Sequence, residues 1–95
     1  MTRRRLESRL KKILVEESSA MLDLQSIRDD TSLYGQGFGL DSVDVVGLIV
    51  RLEHEFRVSF EDGELWESVK TFGTLVDSLR RKLRQHGRPL RRRDA

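Results

Sequence analysis

The chain has 95 residues, 37% of them apolar and 36% charged, with one proline and no cysteine. This length allows one small domain with limited burial, and the missing cysteines exclude disulfides, thiolate metal ligands and cysteine nucleophiles. No run is apolar enough to span a membrane, and no apolar segment follows the charged N-terminus, so we expect a cytoplasmic protein without a secretory signal.

Positive charge is concentrated near the two ends of the chain. The formal net charge is +2, yet eight of the 18 basic residues lie before Leu6 or after Leu83. Between these leucines there are ten basic and 15 acidic residues, a net charge of −5. We therefore expect a basic N-terminal tail over 1–5, an acidic domain over 6–85 and a basic C-terminal tail over 86–95. Both tails should be dispensable for folding, because they have almost no apolar residues to bury.

The first predicted element is an amphipathic helix from about Thr2 or Arg3 to about Ser18. Apolar residues recur there at the spacing of one helix face, with charged residues between them: Leu6, Leu10, Ile13 and Leu14. A long connection over 19–40 follows, where this periodicity is lost and glycines accumulate.

A connection of that length must be tied to the core. Five apolar residues are the predicted anchors: Leu22, Leu24, Ile27, Leu33 and Phe38. Leu33 with Tyr34 is predicted to form a single helical turn. Asp29 and Asp30 are interpreted as solvated turn residues, since two adjacent carboxylates do not make a metal site.

The second helix is predicted from Asp41 to about Phe56. Asp41 stands at the N-cap position and Asp44 follows three residues later, as in a capping box. The apolar residues that follow keep helical spacing: Val45, Leu48, Ile49, Leu52 and Phe56. Because Asp41 provides the cap, the hydroxyl of Ser42 at the first helical position is not needed for capping. A free hydroxyl at the positive end of a helix is a favourable place to attach a phosphate.

Two further helices complete the predicted fold. Ser59 is the expected N-cap of a short helix that ends near Glu67. Thr71 is the expected N-cap of the last helix, which should fray near Gln85. The core positions of the last helix are Phe72, Leu75, Val76, Leu79 and Leu83. The predicted fold is all-α: a small four-helix bundle, three main helices and one short, with a long loop between helices one and two.

The residues Gly39-Leu40-Asp41-Ser42-Val43-Asp44, with Leu52-Glu53-x-Glu55-Phe56 further along, resemble the acyl carrier protein family. The resemblance extends over about 6–83 and fits a discrete, standalone carrier. It implies that Ser42 carries a covalent 4′-phosphopantetheine derived from coenzyme A, and that its thiol holds acyl groups as thioesters. It also implies a carrier and not an enzyme, without a metal site of its own.

The partners implied by the resemblance are a phosphopantetheinyl transferase and then acyl-loading, ketosynthase or acyltransferase enzymes. The transferase brings coenzyme A, a divalent metal ion and the base, and the Ser42 hydroxyl attacks the pyrophosphate. Six residues are expected to contact partners: Asp41, Val43, Asp44, Gly47, Glu53 and Glu55. The acidic stretch 61–67 should also attract basic partner surfaces. We expect a monomer.

Two residues depart from the usual pattern of that family. Gly47 stands where a glutamate is usual, and Arg51 puts a positive charge in a helix that is commonly more acidic. The pathway therefore stays open between fatty acid, polyketide and specialised lipid biosynthesis. Two alternatives remain: a peptidyl or aminoacyl carrier, and a helical interaction module whose basic tails bind nucleic acid. The acidic folded part argues against specific nucleic-acid binding.

Three other side chains are interpreted as structural or solvated. Neither His54 nor His86 has neighbours in the sequence that suggest a triad or a metal-ligand set. His54 should lie on the solvated side of the second helix. Trp66 is expected to be a partly buried packing residue rather than a gate over an apolar cleft.

Overall fold

The computed structural model describes residues 2–17, 23–35 and 37–86. Its helices are α1 (Arg3–Glu17), α2 (Ser42–Phe56), α3 (Asp62–Ser68) and α4 (Phe72–His86). A single 3₁₀ turn lies at Leu24–Ser26. Among the described residues, pairing of the strand type is limited to two isolated bridges, Ser32 with Thr71 and Tyr34 with Leu40. The predicted all-α bundle of three main helices and one short helix is confirmed.

Helix α1 begins earlier than the predicted domain boundary. Residues 3–5, which we assigned to the basic tail, form its first turn, and the hydroxyl of Thr2 accepts a hydrogen bond from the Arg5 amide at 3.2 Å. Arg3 pairs with Glu7 at 2.8 Å, with Asp29 at 3.5 Å and with Asp77 on α4. The division into a domain and two tails stays a prediction, but Arg3 is tied to three parts of the bundle.

The predicted core faces of the long helices are confirmed. In α1 and α2 the buried apolar residues are those whose spacing predicted them: Leu6, Leu10, Ile13, Leu14, Val45, Leu48, Ile49, Leu52 and Phe56. In α4, Phe72, Leu75, Val76 and Leu79 are buried, and Leu83 packs partly buried against the same core. Helix α1 packs against both α2 and α4, and α3 packs against α4.

The long connection is pinned to the core, although not at every predicted residue. Ile27, Leu33 and Phe38 are buried as expected. Leu24 is 44% exposed, so its predicted role as an anchor is wrong, and Leu22 lies outside the described residues. Leu24 falls in the 3₁₀ turn, where the Asp23 carboxylate accepts the Gln25 amide at 3.0 Å and directs the turn outward.

The predicted helical turn at Leu33–Tyr34 is also wrong. The Leu33 amide donates to the carbonyl of Lys70 at 3.2 Å, and the Leu33 carbonyl accepts the amide of Leu40 at 3.1 Å. Both backbone groups of Leu33 are therefore bonded to distant residues. This pairing joins the loop before α2 to the loop before α4.

Two close backbone approaches fix this connection. A Cβ on Gly37 would lie 1.8 Å from the carbonyl oxygen of Ser32, and a Cβ on Gly73 would lie 2.8 Å from that of Asp29. The Gly73 amide donates to the Asp29 carbonyl at 2.7 Å, which ties the connection to the first turn of α4. Only glycine allows such contact without a shift of the neighbouring backbone.

The short helix begins later than predicted. Its N-cap is Glu61 and not Ser59, because Val58 and Phe60 are buried and hold that segment extended. The Glu61 amide donates to the carboxylate of Glu64 at 3.0 Å. The cap predicted for α4 is confirmed, since the Thr74 amide donates to the Thr71 hydroxyl at 3.2 Å.

Side-chain contacts give the helix directions. Arg51 in the middle of α2 reaches Glu16 and Glu17 at the end of α1, while the Arg9 guanidinium lies 4.7 Å from the ring centre of Phe56 at the end of α2. Helices α1 and α2 are therefore antiparallel. Helices α1 and α4 are antiparallel as well, because Arg3 contacts Asp77 and Lys11 contacts the ring of Phe72. The end of α1 and the starts of α2 and α4 thus share one end of the bundle, called here the Ser42 end.

Candidate functional site

The first turn of α2 is held by a reciprocal pair of hydrogen bonds. The Asp44 amide donates to Asp41 Oδ1 at 2.8 Å, and the Asp41 amide donates to Asp44 Oδ2 at 3.2 Å. Asp41 has the extended backbone of an N-cap residue, with φ −104° and ψ −178°. The predicted capping box is confirmed, and each carboxylate satisfies an amide at the start of the helix.

Ser42 is exposed at the first position of α2. Throughout the part of the chain that the structure describes, its hydroxyl has no hydrogen-bond partner. The reason is local: Asp41 already serves as the cap, so the serine side chain is left for solvent. The positive end of the helix dipole makes this a favourable position for a bound anionic group.

The backbone that leads to Ser42 is anchored to the core on the loop side. Phe38 and Leu40 are buried, and the exposed Gly39 between them has φ +72°, a left-handed conformation that glycine adopts without strain. The Leu40 amide donates to Leu33, as described above. The hydroxyl is therefore presented from a fixed backbone and not from a loose loop.

The outer side of α2, next to Ser42, is apolar. Val43, Val46 and Val50 are 79%, 51% and 60% exposed, and Gly47 is exposed among them. At 100° per residue these four positions fall on the side of α2 opposite its buried residues. We call Val43, Val46, Gly47 and Val50 the valine face. Val43 and Gly47 were predicted as partner contacts, whereas Val46 and Val50 were not, although the i, i+3, i+7 spacing of the three valines already indicated a second apolar stripe.

Glu53 and Glu55, two of the predicted partner contacts, have partners inside the chain. The Glu53 carboxylate accepts the amide of Phe60 at 2.9 Å and so fixes the segment that follows α2. Glu55 pairs with Arg51 at 3.7 Å and with Arg9 at 4.0 Å. The structure brings Asp41, Asp44 and the valine face together around Ser42, whereas these two glutamates lie on opposite flanks of α2, nearer its far end.

Arg51 directs its charge toward α1. Its guanidinium contacts Glu16 at 2.6 Å and Glu17 at 3.0 Å, and the hydrogen bond to Glu16, followed by that to Glu17, raises the pKa of Arg51 above its ordinary value. The departure noted in the sequence is therefore an ion-pair link between α1 and α2. It does not place a positive charge on the valine face.

The other candidate residues are exposed. For His54 this agrees with the prediction, whereas Trp66 on α3 is 49% exposed, so its predicted role as a partly buried packing residue is wrong. Asp29 and Asp30 lie in an exposed turn. Over the described ranges no three His, Asp or Glu side chains converge as metal ligands would. In those same ranges no helix is both long and apolar enough to cross a bilayer.

Comparison with known proteins gives two findings. The family described as phosphopantetheine attachment site matches residues 8–79. An acyl carrier protein of Thermotoga maritima is 30% identical over 82 residues, which cover 86% of this chain and 96% of that protein. Both matched regions extend over most of the bundle.

Proposed function

The chain belongs to the phosphopantetheine-attachment family of carrier proteins, and from that premise we propose that Ser42 is its attachment residue. The observation that carries this proposal is an exposed hydroxyl at the first position of α2 that forms no hydrogen bond with any residue the structure describes. When bound, 4′-phosphopantetheine supplies a thiol that holds the cargo as a thioester.

The other serines of the described chain fit the group less well. Ser68 and Ser78 are buried and bonded to each other at 2.6 Å, and the Ser26 hydroxyl donates to the Asp23 carbonyl. Ser8 and Ser59 are exposed, but neither begins a helix. Ser42 alone among these combines exposure with the positive end of a helix, where a phosphodiester is favoured.

The residues around Ser42 prepare it as a nucleophile toward coenzyme A. The paired caps of Asp41 and Asp44 keep the first turn of α2 formed, so that Oγ faces solvent without rearrangement. Ser42 Oγ forms the new bond to phosphorus while the bond to the 3′,5′-ADP leaving group breaks. The proton of the hydroxyl passes to a base of the transferase, which also brings the metal ion.

We further propose that the cargo is an acyl group. The Gly39-Leu40-Asp41-Ser42 approach resembles acyl carriers, and the Thermotoga maritima relative is named an acyl carrier protein. Fatty acid, polyketide and specialised lipid biosynthesis are the candidate pathways. The alternative is a peptidyl or aminoacyl carrier. The cytoplasmic location and the monomeric state stay predictions.

The proposed surface for the transferase and the acyl enzymes is the valine face together with Asp41 and Asp44. Its three exposed valines would lose water on contact, which is a favourable contribution to binding. The two aspartates add negative charge beside Ser42 and would attract a basic rim on the partner. Glu53 and Glu55 are left out of this surface because they are bonded within the chain.

Intact mass measures the attachment directly. Wild type incubated with coenzyme A, magnesium and a broad-specificity transferase should gain the mass of one phosphopantetheine. Ser42→Ala should gain nothing, while Ser59→Ala, the matched exposed serine, should be modified like wild type. Modification of Ser42→Ala, or failure of the wild type with several transferases, would refute the proposal.

A loading competition tests the kind of cargo. The modified protein is offered, in turn, to acyl-loading enzymes and to amino-acid-activating enzymes. The proposal predicts thioester formation with the former and at most weak loading with the latter. Preferential loading with an amino acid would replace the acyl proposal by the peptidyl one and leave the attachment site unaffected.

A further inference from the structure

Exposed arginines lie in the half of the bundle opposite the Ser42 end. That half of the bundle contains the start of α1 and the last turns of α2 and α4, and five exposed arginines lie on these segments: Arg4, Arg5, Arg57, Arg80 and Arg84. Arg81 is exposed as well, but its guanidinium donates to the Ser78 hydroxyl at 3.3 Å. In the part of the chain that the structure describes, none of the five has an ion-pair partner. We call these five residues the arginine end.

Contacts within the bundle show how these parts of the three helices are placed along one another. Arg3 in the first turn of α1 contacts Asp77 on α4, and the α4 arginines lie about one and two turns beyond that aspartate. The ring of Phe56, directly before Arg57, lies under the guanidinium of Arg9 on α1. The start of α1 therefore lies beside the middle of α4, and the end of α2 lies beside the second turn of α1, so the five arginines are spread along the half of the bundle away from Ser42.

Folding accounts for only part of this arrangement, because Arg57 and Arg84 lie at the C-terminal ends of α2 and α4, where cations are favourable. The first turn of α1 contains no acidic residue, so Arg4 and Arg5 face the positive end of their own helix dipole, where cations are unfavourable. Gathering them with the arginines of two other helices adds like-charge repulsion. The charge of this surface is therefore available for a partner that carries negative charge.

We propose that the arginine end binds the surface of a membrane that contains anionic phospholipids. All five cations are arginines, whose planar guanidinium matches the oxygens of a phosphate group in a bidentate contact. The large apolar residues that are exposed in the described chain lie elsewhere: Leu24, Val43, Val46, Val50 and Trp66. An apolar anchor for a protein partner is thus missing from these helix ends, and the attraction is electrostatic.

The spread of charge over three helix ends suits a bilayer better than a nucleic acid. Lipid headgroups move laterally and can collect beneath separate arginines, whereas a nucleic-acid backbone is followed by a stripe or groove of charge. The aromatic residues that could stack on bases, Tyr34 and Trp66, lie outside the arginine end. Asp41 and Asp44 are at the opposite end, so an anionic surface would also orient the domain with Ser42 away from the bilayer.

Vesicle sedimentation with the full chain tests this binding. At about 0.1 M salt the protein should bind vesicles with about 30% phosphatidylglycerol in phosphatidylcholine, should not bind pure phosphatidylcholine, and should dissociate at about 0.5 M salt. Because each basic residue near such a surface contributes about a factor of five, Arg4→Gln/Arg80→Gln/Arg84→Gln should lower the partition coefficient on the order of 100-fold.

The matched control removes three positive charges elsewhere. Lys12→Gln/Arg28→Gln/Lys70→Gln has the same net charge as the first variant, and its three positions are exposed outside the arginine end. It should keep binding within a few fold of wild type, and circular dichroism should show both variants folded. No binding by wild type, an equal loss in both variants, or tighter binding to RNA or duplex DNA at the same phosphate concentration would overturn the proposal.

Discussion

The starts of α2 and α3 have similar capping residues but different roles. Each has an acidic residue at the N-cap and a second three residues later, Asp41 with Asp44 and Glu61 with Glu64. In α2 both aspartate side chains cap backbone amides, and the first helical residue, directly after the cap, is an exposed serine. In α3 the carboxylate of Glu64 also pairs with Lys82 on α4. An acidic capping box therefore fixes a helix start, and the serine hydroxyl beside it makes the start of α2 a candidate attachment site.

The largest expected effect comes from the loop that supports the start of α2. Gly37→Ala places a Cβ 1.8 Å from the carbonyl oxygen of Ser32, so the backbone must shift. We expect a loss of about 3 kcal/mol in unfolding free energy, at the upper end of overpacking costs. Urea denaturation measures it. A change below about 0.5 kcal/mol would show that the loop is not fixed as described.

The two caps themselves provide the sharpest contrast. Asp41→Ala removes an amide acceptor from α2 and should cost about 1 kcal/mol. Glu61→Ala should cost only a few tenths, because the α3 amide of Glu64 is bonded to the backbone carbonyl of Glu61, which the substitution retains. Denaturant midpoints of both variants test this difference, and equal losses would remove the distinction between the two helix starts.

Helices α2 and α3 each contain one glycine, and these two positions allow a matched comparison of stability and partner contact. A Cβ added at Gly47 of α2 or at Gly63 of α3 meets nothing within 4 Å. Alanine at either position should stabilise the isolated domain by about 0.5–1 kcal/mol. Gly47→Ala alone should slow transfer to the cognate acyl enzyme, because only Gly47 lies on the valine face. Slowing by both variants, or by neither, would contradict that assignment.

The smallest expected effect concerns acid stability at α3. The hydrogen bond from Lys82, and then the one from the Glu61 amide, hold the pKa of Glu64 below its ordinary value. The resulting stabilisation is present above the ordinary glutamate pKa and is lost as the pH falls through the lower folded-state pKa. Since the Glu64 side chain is 39% exposed, the loss should stay below about 0.5 kcal/mol. Glu64→Gln should abolish this part of the pH dependence, and an unchanged dependence would exclude Glu64 as its source.

Local sequence signals were sufficient for the start of α2 and for the core. The capping box at Asp41 involves residues three apart, and the buried stripe of α2 follows one period, so both could be predicted without tertiary information. The same holds for Thr71 as the cap of α4.

Features decided by distant residues were missed. Leu33 was wrongly predicted to be helical. Its backbone is bonded to Lys70 and Leu40, and the sequence near Leu33 gives no sign of these bonds. Ser59 was wrongly predicted as a cap. The burial of Phe60, which holds this segment extended, is a tertiary effect that the local sequence does not show. The intrachain contacts of Glu53 with the amide of Phe60 and of Glu55 with the guanidinium of Arg9 were missed as well, because these groups come near only in the fold. The partner contacts predicted for the two glutamates stay predictions.

The most direct test of the central claim is to locate the modified residue within a proteolytic peptide. Trypsin should release residues 29–51 as one peptide, since no lysine or arginine lies between Arg28 and Arg51. That peptide contains two serines, Ser32 and Ser42. After treatment with coenzyme A and transferase, fragmentation should place the whole added phosphopantetheine mass on Ser42. Its location on Ser32, or on any peptide outside 29–51, would contradict the account.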